Sequence, residues 1–154
     1  MRQCSSLLER YYKCTQNELN MATSKVEYLG DLRTKCTHLK SGKEILTDAP
    51  VDNNGKGESF SPTDLVATAY ASCMMTIIGI YCNSNGISFE QGTAEVTKEM
   101  GSNPRRISKI TISMDFSENF WDAATQEKII RVGEACPVAK SVDASMELAF
   151  NYNF

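Results

Sequence analysis

Short runs of alternating apolar and polar residues flank one long stretch that carries almost no charge. From Lys25, the runs Val26 to Leu29, Leu32 to Leu39 and Glu44 to Thr47 are separated by turn signals at Gly30-Asp31 and Ser41-Gly42, which predicts an antiparallel meander of three strands. Charge then disappears between Leu65 and Cys82. The spacing predicts a helix there whose ends are both written in the residues. Ser61 suits the N-cap, Pro62 the first helical position, and Asp64 completes a capping box favoured by the helix dipole. Asn85-Gly86 closes the helix. Because this helix lacks a polar face, it is expected to be covered on nearly all sides.

After Gly86 the two-residue period returns. Ala94, Val96, Lys98 and Met100 share one face, Ser102-Asn103-Pro104 makes a turn, and Ile107 to Phe116 sets Ile110, Ile112, Met114 and Phe116 against a wet face of Lys109, Thr111, Ser113 and Asp115. Asp122 to Glu134 reads as a second helix, Pro137 to Val142 as a short further one, and Ser145 to Tyr152 as a closing strand with Met146, Leu148, Phe150 and Tyr152 inward. The order strands, helix, strands, helix, strand predicts an α+β fold, with antiparallel sheets around a long central helix.

Two segments fall outside that pattern. Residues 1–20 contain Leu7, Leu8, Tyr11 and Tyr12 at spacings compatible with a short helix, and are expected to be a poorly ordered extension to a domain running from 21 to 154. Ala49 to Phe60 is a polar loop that feeds directly into the central helix, and a loop of that length is either mobile or part of a site.

Length and charge narrow the function classes. A chain of 154 residues suits one domain with a sizeable core. A net charge of -3 with no basic stripe argues against nucleic acid as a partner. The N-terminus lacks the pattern of an export signal, so a cytoplasmic location is expected. The 18 apolar positions from Leu65 to Cys82 reach the lower edge of a bilayer span, but Thr68, Ser72, Thr76 and Gly79 interrupt them and no Lys or Arg cluster flanks them, which argues against a membrane.

Six cysteines, at 4, 14, 36, 73, 82 and 136, show no Cys-x-x-Cys spacing, and with one histidine, His38, a metal site has little to build on. No cofactor is implied. Cys36 and His38 share a strand face that Arg33 does not. Cys136 precedes Pro137, and if Pro137 opens a helix the sulfur lies at an N-cap, where free N–H groups stabilise a thiolate. Cys73 lies about three turns inside the long helix, where burial raises a thiol pKa, so its reactivity requires a fixed cation from elsewhere. Arginine serves better than lysine because it stays charged when desolvated. Cys82, nine residues on, lies on the opposite helix face, and spacing alone does not choose between Cys73 and Cys82.

The run Ser61-Pro-Thr-Asp-Leu-Val-Ala-Thr-Ala-Tyr-Ala-Ser-Cys73, together with Glu134-Ala-Cys-Pro-Val-Ala-Lys140, resembles the OsmC/Ohr family of thiol peroxidases, over roughly residues 24–154. The resemblance implies a domain-exchanged homodimer with an interface site that reduces organic hydroperoxides and, in some members, hydrogen peroxide. It makes Cys73 the peroxidatic thiol and Cys136 the resolving one, joined as a disulfide that an external dithiol reduces. It also assigns thiol activation to an arginine from the early strands, which Arg33 matches. In the Ohr branch a glutamate after the helix-opening proline holds that arginine. Here the position is Thr63, which leaves Asp64 and Glu58 as candidates for the holding role.

The resulting expectation is a cytoplasmic, dithiol-dependent peroxidase built on Cys73, Cys136 and Arg33. The alternatives are a non-catalytic module holding a small hydrophobic ligand beside Tyr70, Met74 and Met75, or a redox sensor using the same disulfide.

Overall fold

The computed structural model describes residues 22–154; the expectation for residues 1–20, with Cys4 and Cys14, lies outside them. The chain divides after Phe60 into two compact units.

The first unit is the meander, β1 (Ser24–Gly30), β2 (Arg33–His38) and β3 (Glu44–Asp48), paired antiparallel in that order. Its first turn is one residue later than the sequence suggests: Asp31 and Leu32 take positive φ values of 50° and 61°, the left-handed pair that a two-residue hairpin requires. The β2–β3 register sets Cys36 opposite Ile45 and Arg33 opposite Asp48. Among the described residues of this unit, only Thr47 and Asp48 are buried, whereas Val26, Tyr28, Leu29, Ile45 and Leu46 are exposed. The following loop is ordered by its own backbone: a 3-10 turn at Val51–Asn53 leads on to Gly55 and Gly57, whose N–H groups donate to the carbonyls of Pro50 (3.0 Å) and Ala49 (3.3 Å). Any side chain at Gly55 would fall 1.7 Å from the Ala49 oxygen, so the turn admits glycine alone.

The second unit begins with the long helix α1 (Pro62–Asn85), followed by β4 (Thr93–Ser102), β5 (Arg105–Asp115), α2 (Ala123–Glu134) and β6 (Glu147–Asn153). Its sheet runs β4-β5-β6, antiparallel across the first pair and parallel across the second. Both helix-end signals operate. Ser61 Oγ accepts from the Asp64 N–H at 3.1 Å, Asp64 accepts from the Ser61 N–H at 2.8 Å, and Gly86 closes the helix at φ 64°.

Ala67, Tyr70, Ala71, Met74, Ile78 and Cys82 form one buried stripe on α1, packed with Ile110, Ile112, Met114 and Phe116 of β5 and its end. The expected cover on nearly all sides is not met: Val66 and Ile80 on other faces are 44% and 55% exposed. The elements of this unit that contact α1, namely α2, β4, β5 and, through Phe150 against Tyr70, β6, leave these faces exposed. By length and composition α1 could cross a membrane, yet its apolar stripe is the core of this unit.

The short helix expected after Cys136 does not form. Residues 137–141 are successive turns, with Lys140 and Ser141 N–H groups donating to the carbonyls of Pro137 (3.1 Å) and Val138 (2.9 Å). Each bond spans three residues, so the chain tightens for a turn and a half without gaining helical register.

Candidate active site

Cys73 lies at the margin of the buried α1 stripe and is half-buried, while Cys136 is fully buried. Helix α2 carries Cys136 there by packing its last turn on α1 at Gly133, where a Cβ would stand 3.1 Å from Ile78 Cδ1. The absent side chain permits that approach, and Cys136 follows three residues later, its N–H donating to the Gly133 carbonyl at 3.2 Å. The Cys136 thiol lies near enough to that of Cys73 for Cys73 to disfavour its ionisation. Cys36, Cys73, Cys82 and Cys136 are all free thiols. Spacing left Cys73 and Cys82 equal, and packing separates them: Cys82 is deep in the core, where burial pushes its thiol up.

The N-terminal character expected around Cys136 survives in part. Its sulfur accepts the Ala139 N–H at 3.4 Å, as a capping side chain would. The expected lowering of its pKa is overturned, however, because burial pushes the thiol up more than the Ala139 and Val138 N–H groups pull it down, and Cys73 pushes the same way. A turn lacks the aligned dipoles of a helix, so little opposes desolvation.

In the first unit Arg33 is held by two carboxylates. Its Nε and Nη2 donate to Asp48 Oδ1 and Oδ2 at 2.6 and 2.8 Å, a bidentate pair, and Nη2 also donates to Glu58 Oε2 at 2.7 Å. The Glu58 N–H returns to Asp48 Oδ2 at 3.0 Å, tying the loop to the same carboxylate. Asp48 is 2% exposed and Glu58 64%, so one partner is fixed and the other is exposed to solvent. Hydrogen bonds from Arg33 hold Asp48 below the usual carboxylate range despite its burial, and those of Asp48 and Glu58 raise the guanidinium further, so Arg33 stays charged.

Of the two acids expected to hold Arg33, Glu58 does so, whereas Asp64 is engaged at its own helix end. Asp64 accepts from Ser61 and pairs with Lys98 at 3.1 Å. Burial pushes it up, but the bonds from Ser61 and Lys98 outweigh burial and hold it low. Asp48 was missed. The sequence signal for it was the β2–β3 register, which sets position 48 opposite position 33 once the strand is carried one residue beyond Thr47.

A groove of about 330 Å³ opens beside α1, lined by Thr68, Ser72, Met75, Thr76, Ala94 and Val96 among others. Met75 belongs to it, but Tyr70 and Met74, expected there as ligand contacts, are core residues at 1% and 0% exposure. Their positions on the α1 stripe point them into the sheet. Among the described residues, no group of three or more His, Cys, Asp or Glu side chains could hold a metal ion.

A family model described as OsmC-like protein matches residues 55–151. A crystal structure of a candidate osmotic stress induced and detoxification response protein from Psychrobacter arcticus 273-4 is 50% identical, covers 86% of this chain and 96% of its own, and superposes with a TM-score of 0.82. An organic hydroperoxide resistance protein OsmC from Legionella pneumophila shares the fold at 15% identity and a TM-score of 0.70, over 87% of this chain and 98% of its own. One from Elizabethkingia anophelis does so at 13% identity and 0.68, over 87% and 97%. No curated protein matches the chain. The two cysteine motifs, the α+β topology and a family match spanning more than half of the residues converge: this chain belongs to the OsmC-like proteins.

Proposed function

We propose that the protein is a thiol-dependent peroxidase that reduces organic hydroperoxides and, less well, hydrogen peroxide. The Cys73 thiolate attacks the peroxide oxygen and the O–O bond breaks. The alcohol leaves with a proton, and Cys73 becomes a sulfenic acid. Cys136 then attacks that sulfur, water leaves, and a Cys73–Cys136 disulfide forms, which an external dithiol reduces by thiol exchange. Arg33 is assigned the cation that keeps Cys73 ionised, with Asp48 and Glu58 orienting it. The observation that carries this reading is that a half-buried thiol and a fully buried one, from two motifs far apart in the chain, are near enough for the first to act on the ionisation of the second. Organic hydroperoxide resistance proteins of the same fold support the substrate class.

The assembly assigned is a homodimer. The exposed apolar side chains of β1–β3 are one surface that a second copy would cover, and Val66 and Ile80 of α1, in the other unit, are a separate one. The location assigned is the cytoplasm, where free thiols persist.

Treating the purified protein with an organic hydroperoxide and mapping its thiols by mass spectrometry tests the chemistry. The expected result is a Cys73–Cys136 bridge, dithiol-dependent turnover, and loss of turnover in Cys73→Ser. No bridge, with Cys73→Ser turning over like the parent, would overturn it. A second reading rests on the groove beside α1: retention of a small hydrophobic ligand without turnover. Co-purification of such a ligand with peroxide-inert thiols would favour it.

A further inference from the structure

If the disulfide proposed above forms, it has to be opened again, and its two sulfurs are not equally open to a reductant. Thiol–disulfide exchange needs the incoming, attacked and departing sulfurs nearly in line, so each end of the bridge is approachable only from the side opposite the other. Behind Cys136 that side is core. The residue has no exposure and belongs to one buried cluster with Met74 and Ile78, which have none either. Its N–H donates to the Gly133 carbonyl at 3.2 Å, at the point where Ile78 and Met74 press on α2.

Behind Cys73 the same direction leads out. Cys73 is half-buried, and Ala69 and Thr76, one turn to either side of it on α1, are exposed. The oxidative steps also keep that direction clear. Cys136 attacks the sulfenic acid from the side opposite its oxygen, so the hydroxyl departs as water from the in-line position that the next nucleophile needs. The space that admits a hydroperoxide therefore admits a thiol after it.

One effect runs the other way. A thiol of lower pKa leaves faster, and burial pushes Cys136 up, so leaving-group chemistry alone favours expelling Cys73. Access decides, because a sulfur with no free in-line position is not attacked whatever its partner's pKa. The departing Cys136 also has a donor in place: its sulfur accepts the Ala139 N–H at 3.4 Å.

We propose that the reductant attacks Cys73, that Cys136 departs, and that the mixed disulfide between protein and reductant is carried on Cys73 alone. One thiolate of the dithiol bonds to the Cys73 sulfur, the S–S bond to Cys136 breaks, and Cys136 leaves with the electron pair and takes up a proton. The second thiol of the same molecule then loses its proton and attacks the first sulfur, a cyclic disulfide forms, and Cys73 departs as the thiolate that begins the next cycle. The dithiol is oxidised by two electrons and the bridge reduced by two. This order also gives the dithiol requirement a cause. Cys136 stays beside Cys73 and can reverse the first exchange, and a second thiol tethered to the first competes with it at an effective concentration on the order of millimolar.

The test uses the full-length protein, oxidised with an organic hydroperoxide and freed of the excess, with 2-mercaptoethanol as a one-thiol probe. The first exchange is quenched in acid, free thiols are alkylated, and peptides are mapped by mass spectrometry. Cys136 falls in the tryptic peptide 132–140 and Cys73 in 57–98, where fragment masses separate it from Cys82. The mercaptoethanol adduct should be on Cys73 and the alkyl group on Cys136, in about tenfold excess or more over the reverse pattern. Desalting away the free probe should restore the bridge, whereas dithiothreitol should leave both thiols reduced. Adducts on Cys136 in equal or greater amount would overturn the order of opening and leave the peroxidase reading standing. An adduct on Cys73 that persists after desalting would overturn the return of Cys136. Absence of a Cys73–Cys136 bridge after peroxide treatment would overturn the peroxidase reading, and the order of opening with it.

Discussion

The two units hold their chemistry by opposite means. In residues 61–154 the thiols are placed by apolar packing: a stripe on α1, the inner face of β5, and a glycine that lets α2 approach. In the unit ending at Phe60 almost nothing apolar is buried, and Arg33 is placed by charge-assisted hydrogen bonds to a buried aspartate and an exposed glutamate. Packing fixes a position through many weak contacts that fail one at a time, while a bidentate pair fixes it through two strong directional ones that fail together. The first unit also lacks the buried apolar area from which a three-stranded sheet draws independent stability, so its persistence depends on what covers it.

That contrast can be broken most directly by matched truncations. Ile110→Ala, at a site with no exposure, should cost about 2–5 kcal/mol in chemical denaturation whatever the protein concentration. Ile45→Ala, 51% exposed, should cost no more than about 0.5 kcal/mol in dilute, dissociated chains. If a second copy covers that sheet, the cost of Ile45→Ala should grow with concentration. A cost for Ile45→Ala that is equally large at every dilution would show that the first unit has a core of its own.

The polar anchor should be sharpened by acid. Arg33 holds the Asp48 pKa below its ordinary value, so folding gains from the ionised form. This contribution is fully present above the unfolded pKa of about 4 and is lost as pH falls through the lower folded value. The amide resonance of Glu58, whose N–H donates to Asp48, should move over that window and stay still in Asp48→Asn. Turnover should fall further in Asp48→Asn than in Glu58→Gln, because the buried partner holds two of the three bonds on Arg33.

The smallest effect is expected at the start of α1. Ser61→Ala removes the acceptor for the Asp64 N–H and should cost about 1 kcal/mol, roughly 2–4 °C in a thermal midpoint for a chain of this size. A shift near zero would mean that the Asp64 half of the capping box, with Lys98, holds the helix start unaided.

Much of the fold was legible because it is locally encoded. Ser61, Pro62, Asp64 and Gly86 bracket α1 within a residue, since caps act on the backbone groups beside them. The alternation in Ile107–Phe116 named its buried face correctly, since side chains along a strand point alternately to its two faces. The turns after Cys136 were misread as helix because Pro137 opens helices and turns equally well.

The candidate site was legible as residue types and not as partners. The chain on its own determined that Cys73 lies mid-helix, that Cys136 precedes a proline, and that Arg33 lies near the start of a strand, because these depend on neighbours a few positions away. Only the tertiary structure decided that Cys136 would be too deeply buried to ionise readily, that Asp48 rather than Asp64 would grip Arg33, and that Cys82 would be core. Burial and long-range pairing depend on register and close packing between distant segments, and no short window of residues contains them.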